Sequence, residues 1–236
     1  MIDSTAPLRL LVTAGPTYEP IDAVRFIGNR SSGRLGSSLA DEAARRGWEV
    51  TLALGPNAIE PAEAGVRLVR FRSTADLQAR LKEHLPACDV LVMAAAVADY
   101  RPAPDDVDIA GKRRRSRAGM TLRLEPTPDL LSGCSAQARP DQLLVGFALE
   151  PKAELLVSAR SKLARKGIDL IVANPLETMD SPDVHARLLG NPQRGLEVDV
   201  ETPGHISKPA FAAWLLDQLT PLARERAMPE HARGRA

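Results

Sequence analysis

Asn29-Arg30-Ser31-Ser32-Gly33-Arg34-Leu35-Gly36 places a side-chain amide, two hydroxyls and two glycines directly ahead of an amphipathic run. Exposed backbone N–H groups and the dipole at a helix start attract anions such as phosphate. An amide side chain both donates and accepts hydrogen bonds, so Asn29 suits a polar organic substrate. A helix start with Ser32 as a plain cap and Gly33 as a packing residue satisfies the same pattern. Upstream, Glu19, Asp22 and Arg25 add charge to a sixteen-residue interval from Tyr18 to Gly33. That is longer than an ordinary strand-to-helix connection, and two ligands served by one loop would account for the excess. Lys162 and Lys166 lie four apart, on one face of a helix, and a basic run extends from Lys112 to Arg117.

The elements that must position these groups read as an alternating α/β chain. Leu8–Thr13 is a short apolar strand. Gly33–Arg46 has apolar residues at helical spacing and ends at Gly47, and Glu49–Leu54 is a second strand closed by Gly55-Pro56-Asn57. Val66–Phe71 predicts a strand, Ser73–Asp76 a helix cap, and Asp89–Ala96 a buried strand. Asp99–Thr121 follows neither period and reads as a functional loop. Met120–Leu124 alternates, Thr127-Pro128-Asp129 opens a helix, and Leu143–Ala148, about Lys152–Lys166, and Asp169–Ala173 continue the alternation. Residues 174–206 predict hairpin strands at the rim of the sheet, Ser207–Leu222 a last helix, and Arg224–Ala236 a frayed tail. The fold class expected is α/β: a Rossmann-like, doubly wound, mostly parallel sheet with an irregular basic lid loop and a C-terminal hairpin or dimerisation region. One domain spans 1–236, with its core at about 8–222.

Composition narrows the function classes. The 31 basic and 30 acidic side chains leave a formal net charge of +1, which argues against a surface made for nucleic acid. Aromatic residues make up 3%, too few for a row of base-stacking platforms. No apolar run approaches bilayer length, so no membrane partner is expected, and the two cysteines suggest a reducing, cytoplasmic setting. Cys88 and Cys134 read as packing residues. The histidines at 84, 185, 205 and 231 are scattered, and none suggests a general base.

The stretches "LVTAGPTYEPIDAVRFIGNRSSGRLG", "MAAAVADYRP", "PTPDLL", "VGFALE" and "LARKGIDLIVAN" occur in this order. Together they resemble phosphopantothenoylcysteine synthetase, a ligase of coenzyme A biosynthesis, over about residues 8–222. The resemblance implies joining 4′-phosphopantothenate to L-cysteine through an acyl-nucleotide. CTP is expected in preference to ATP, with Mg2+, in a homodimer. In many bacteria that domain is fused to a flavin-dependent decarboxylase. The resemblance therefore implies no flavin in this chain, with the decarboxylase as a separate partner.

By the same resemblance, Asn29 holds the acyl moiety with Arg25 assisting, and Lys112 closes over the reaction centre, with Arg113 or Arg114 as alternatives. Gly15, Ser31, Ser32 and Gly33 receive nucleotide phosphates. Ala94, Ala95 and Ala96 let base and sugar approach the backbone, and Asp99 meets the ribose or base. Pro128, Asp129, Leu130 and Leu131 line the nucleotide, Phe147 walls the base, and Lys162 and Lys166 contact phosphates. No metal ligand is indicated. Two other classes are open. A short-chain nicotinamide reductase is disfavoured because neither Tyr18 nor Tyr100 has a lysine four residues on. A non-catalytic nucleotide sensor would use the basic run as an interaction surface.

Overall fold

Strands that are covered on both faces must be apolar on both faces. Val12, Leu52, Leu54, Val90, Val92, Val145 and Val172 are accordingly all inaccessible to solvent. The computed structural model describes residues 6–114, 119–178 and 181–227. Its elements begin with β1 (Arg9–Ala14), the short pair β2 (Tyr18–Pro20) and β3 (Phe26–Gly28), α1 (Arg34–Arg45), β4 (Glu49–Leu54) and β5 (Arg67–Arg70). There follow α2 (Thr74–His84), β6 (Val90–Met93), β7 (Tyr100–Pro102), β8 (Leu124–Pro126), α3 (Leu130–Gln137) and β9 (Leu143–Glu150). Then come α4 (Leu155–Lys166), β10 (Leu170–Pro175), β11 (Asp183–Val184), β12 (Arg187–Gly190), β13 (Asp199–Glu201), β14 (Ile206–Ser207) and α5 (Lys208–Ala227).

The main sheet has eight strands in the order β13-β12-β10-β9-β6-β1-β4-β5. The six from β10 to β5 run parallel, and β12 and β13 join antiparallel at one edge. This is the expected Rossmann-like α/β fold. The chain leaves β1 in one direction for β4 and later returns to β6 on its other side. The switch point between β1 and β6 opens a crevice beyond the carboxyl ends of the strands, where ligands of such sheets bind. Helices α1 and α5 cover one face around Leu39, Phe211 and Leu215, while α2, α3 and α4 cover the other around Leu77, Leu131 and Leu163.

Three expectations change. The long interval after β1 contains a small hairpin, β2–β3, held by stacked Tyr18 and Phe26 rings with centroids 3.6 Å apart. The irregular stretch after Asp99 pairs β7 with β8, so its alternating strand forms at Leu124–Pro126, and Met120 to Arg123 lie ahead of it. The frayed tail begins later than Arg224, because α5 continues through Pro221 to Ala227. Its end is tied down: Arg226 pairs with the buried carboxylate of Asp169 at 2.6 Å, and Arg224 donates to the Ala6 carbonyl at 2.7 Å. Residues 228–236, with His231, lie outside the described residues, as do Arg115 and Arg117 of the basic run. Among the described residues, no helix is long and apolar enough to cross a membrane.

Candidate functional site

The exit from β1 is built to hold the exit from β6. Thr13 Oγ1 accepts the Ala95 amide at 3.1 Å, Thr17 Oγ1 accepts the Ala98 amide at 2.9 Å, and Ala96 N–H donates to the Gly15 carbonyl at 2.9 Å. The run from Ala94 to Ala98 is thereby locked as a floor of small side chains. Asn29 closes over it, its amide nitrogen donating to the Val97 carbonyl at 2.9 Å. That bond fixes the amide plane and leaves the Asn29 oxygen and the second amide proton for a ligand.

Two recesses meet on this floor. The larger, of about 410 Å³, is lined by residues 29–36, Ala94 to Val97, Phe147, Leu149, Lys162, Asn174, Thr178, Val184 and Lys208. The second, of about 340 Å³, contains Met93, Asp99, Thr127 to Leu131, Arg165 and Lys166, and shares Ala95, Val97, Phe147 and Lys162 with the first. They form one groove along the crevice. In the larger recess Arg30, Arg34, Lys162 and Lys208 contribute four basic side chains, and no acidic side chain lines it. Such a wall attracts an anion.

At the α1 start, Gly33 is left-handed at φ +69°, and no side chain caps the helix. The plain-cap reading of Ser32 therefore fails at its own position. Ser31 and Ser32 only brush the amides of Gly33 and Arg34, at 3.4 and 3.5 Å. The first turn of α1 thus retains amides facing the groove. A Cβ on Gly33 would stand 2.6 Å from the Cβ of Ala58, and one on Gly15 2.7 Å from the same atom. Ala58 is wedged between the two glycines. This corrects the role of Gly15, which is buried beneath the groove and shapes it through packing.

The two α4 lysines are held by carboxylates. Lys166 meets both oxygens of Asp129 at 2.7 and 2.6 Å, and Lys162 bonds Glu150, which also accepts from Ser158 at 3.1 Å. Lys162 and Ser158 hold the Glu150 carboxyl below the usual range. Burial works to raise Asp129, and the bonds from Lys166 and Ser132 outweigh it, so its net shift is downward. Asp129 also accepts the Ser132 amide at 3.1 Å, capping α3.

Of the residues read from sequence, Asn29, Ser31 to Gly33, the three alanines, Asp99, Pro128 to Leu131, Phe147 and both lysines converge on the groove. Lys112 does not. It is exposed and lies outside both recesses, because its arm is stitched to the residues around Asp22. Arg25 is also turned away, its guanidinium on Asp22. Arg30, Arg34, Asn174, Thr178 and Lys208 join the site without having been legible as members. Arg30 and Arg34 lie within the opening motif, whereas Lys208 reaches the site only through the return of β14.

The fold and this groove define a Rossmann-like α/β domain with a cleft lined by basic side chains at its switch point. The chain belongs to the family described as the DNA/pantothenate metabolism flavoprotein C-terminal domain, whose model matches residues 6–221. It is 46% identical over 174 residues to the coenzyme A biosynthesis bifunctional protein CoaBC of Mycobacterium bovis, covering 70% of this chain and 41% of that protein. It is 44% identical over 169 residues to a cysteine/cysteine sulfinic acid decarboxylase from an unknown prokaryotic organism, covering 72% of this chain and 46% of that protein. The chain thus spans less than half the length of these curated relatives. Among solved structures, the C-terminal domain of CoaBC matches with TM-score 0.76 and 32% identity, over 93% of this chain and 97% of that one.

These findings correct the ligase identification. The matched family is described as a flavoprotein's, one relative is named a decarboxylase, and none of these names carries a synthetase, a ligase or a nucleotide. The expectations of a CTP-dependent ligase, of CTP, ATP and Mg2+, and of 4′-phosphopantothenate and L-cysteine as substrates are withdrawn. So are the reductase and sensor alternatives and the homodimer and separate-decarboxylase partners. The expected tie to coenzyme A biosynthesis agrees with the name of that relative.

The family description also brings flavin back into consideration, against the expectation that it has no part. The groove's own residues do not fit one. A planar three-ring system needs flat cover on both faces, and the groove offers one half-buried ring, Phe147, over an alanine floor. The thiols are remote from redox use: burial pushes Cys88 up to about 12 and Cys134 up to about 11. No step through a flavin is derived for this chain.

Proposed function

We propose that this chain is a coenzyme A biosynthesis domain whose groove binds and orients 4′-phospho-N-pantothenoylcysteine, a phosphorylated acyl-cysteine. The observation that carries this reading is the larger recess, with four basic and no acidic lining side chains beside a helix start and a fixed amide. The phosphate is received at the start of α1, beside Ser31 to Gly33, where backbone donors and dipole act together. Asn29, steadied by the Val97 carbonyl, bonds an amide of the pantothenoyl chain. Phe147 and Leu149 give its gem-dimethyl segment an apolar wall, and Lys162, already paired with Glu150, adds a bond to the cysteinyl carboxylate.

Calorimetric titration of the purified chain with 4′-phospho-N-pantothenoylcysteine tests the reading. Saturable binding that weakens with salt and is lost in Asn29→Ala is expected. No heat of binding at millimolar ligand refutes it.

A further inference from the structure

We propose that Asp22 is a positioning residue: its buried carboxylate clasps Arg25 to the main chain of Arg113 and so fixes the root of the basic arm. The Asp22 side chain is fully inaccessible, though it lies in the loop between β2 and β3. One oxygen accepts the amides of Val24 and Arg25 at 2.9 and 2.8 Å. The other accepts Arg25 Nε at 2.9 Å, Arg25 Nη2, and the amide of Arg113 at 3.1 Å. Arg25 Nη2 also donates to the Arg113 carbonyl at 2.8 Å, so carboxylate and guanidinium together satisfy both polar groups of one arm residue.

Neighbouring bonds make the junction continuous. Asp108 N–H donates to the Ile21 carbonyl at 3.0 Å, and Ala23 N–H to the Gly111 carbonyl at 3.0 Å. The charged side chain that meets Asp22 from these segments is Arg25; Arg113 reaches it through its main-chain amide, and Asp108 stands opposite it across an isolated strand bridge. The Arg25 bond is the largest influence holding the Asp22 carboxyl well below the usual range, so the clasp is ionised at neutral pH. Arg113 itself turns its side chain back to the Asp106 carbonyl at 2.6 Å. Lys112 and Arg114, on either side of it, are exposed. The clasp therefore sorts the basic residues: the charges of Arg25 and Arg113 are spent on structure, and those of Lys112 and Arg114 are presented outward.

A carboxylate is required, because an amide in its place would set N–H donors against the donors of Arg25 and Arg113. The clasp itself stands apart from the proposed function. The test compares the whole chain with its Asp22→Asn variant by amide hydrogen exchange, with ligand titration alongside. In the parent protein the Arg113 amide is expected to exchange slowly. In Asp22→Asn it should exchange roughly ten- to a hundredfold faster, the scale of a hydrogen bond to a charged group. Amides of β1 and β6 should keep their rates, and tryptic cleavage after Lys112 and Arg114 should accelerate in parallel.

Arg25→Gln removes the fork from the exposed side and should give a smaller acceleration, which keeps the test available if Asp22→Asn folds poorly. An Arg113 amide that exchanges freely in the parent, or at the parent rate in both variants, overturns the clasp. Failure of the parent to bind 4′-phospho-N-pantothenoylcysteine overturns the proposed function and leaves the exchange result standing.

Discussion

Gly33→Ala tests whether the groove depends on the Ala58 wedge. Two separable costs are expected. A Cβ in the left-handed region, here φ +69°, costs about 1–2 kcal/mol. The new Cβ would also stand 2.6 Å from the Cβ of Ala58, an overlap that the segment after β4 must relieve by moving. Overpacking of this kind costs about 1–3 kcal/mol. The segment resists, because Ile59 N–H donates to the Ser32 carbonyl at 2.9 Å and Ser37 Oγ donates to the Ile59 carbonyl at 2.5 Å. A total near 3 kcal/mol corresponds to a fall of roughly 6–12 °C in Tm for a chain of this size. Urea denaturation of the parent, Gly33→Ala, Ala58→Gly and the double variant closes a cycle. Removing the Ala58 methyl should restore the overlap share, about 1–3 kcal/mol, and leave the backbone share. A Gly33→Ala variant within about 0.5 kcal/mol of the parent, or a cycle with no coupling, refutes the wedge.

Asp169 is fully buried between Arg194 and Arg226, each at 2.6 Å, and accepts the Leu144 amide at 2.7 Å. Asp169→Asn should cost about 3 kcal/mol, as breaking a buried pair does, and a loss under about 1 kcal/mol in denaturant titration would contradict that account. The depressed carboxyls of Asp129 and Glu150 contribute stability that is fully present above their unfolded pKa near 4 and is lost as pH falls through their lower folded values. Thermal stability should therefore drop in the acid range below about pH 4, and Lys166→Met should flatten the drop. A variant whose acid profile matches the parent would deny the Lys166 contribution. With both thiols buried and raised, iodoacetamide at pH 8 should label Cys88 and Cys134 only in denaturant. Fast native labelling, read by mass spectrometry, would show the burial to be wrong.

The parallel core was legible because strands covered on both faces carry unbroken apolar runs, as Glu49–Leu54 and Leu143–Ala148 do. The antiparallel edge was legible only as weak alternation, since residues of β13 are exposed and carry no burial signal. The position of the groove followed from the late serine-glycine motif, and Asn29 and the lysines at 162 and 166 were found by spacing and resemblance. Lys208 was not, because its membership depends on where β14 and α5 begin. Lys112 was placed at the groove by resemblance, whereas the bond from the Ala23 amide to the Gly111 carbonyl and that from the Arg113 amide to the Asp22 carboxylate hold that arm elsewhere. Side-chain-to-backbone clasps of this kind leave no period in a sequence. The ligase assignment rested on resemblance alone, and the names of the relatives corrected it.

The ion pair between Arg226 and Asp169 has a consequence for the order of synthesis. During translation the sheet strands through β13 are made before α5, so the Asp169 carboxylate emerges more than fifty residues ahead of its second cation. Lys208 of the groove also arrives late. A nascent chain stalled short of residue 226 therefore holds a desolvated anion with one partner and an unfinished C-terminal helix. Asp169 gains its last counterion only once residue 226 has been made and has cleared the ribosome.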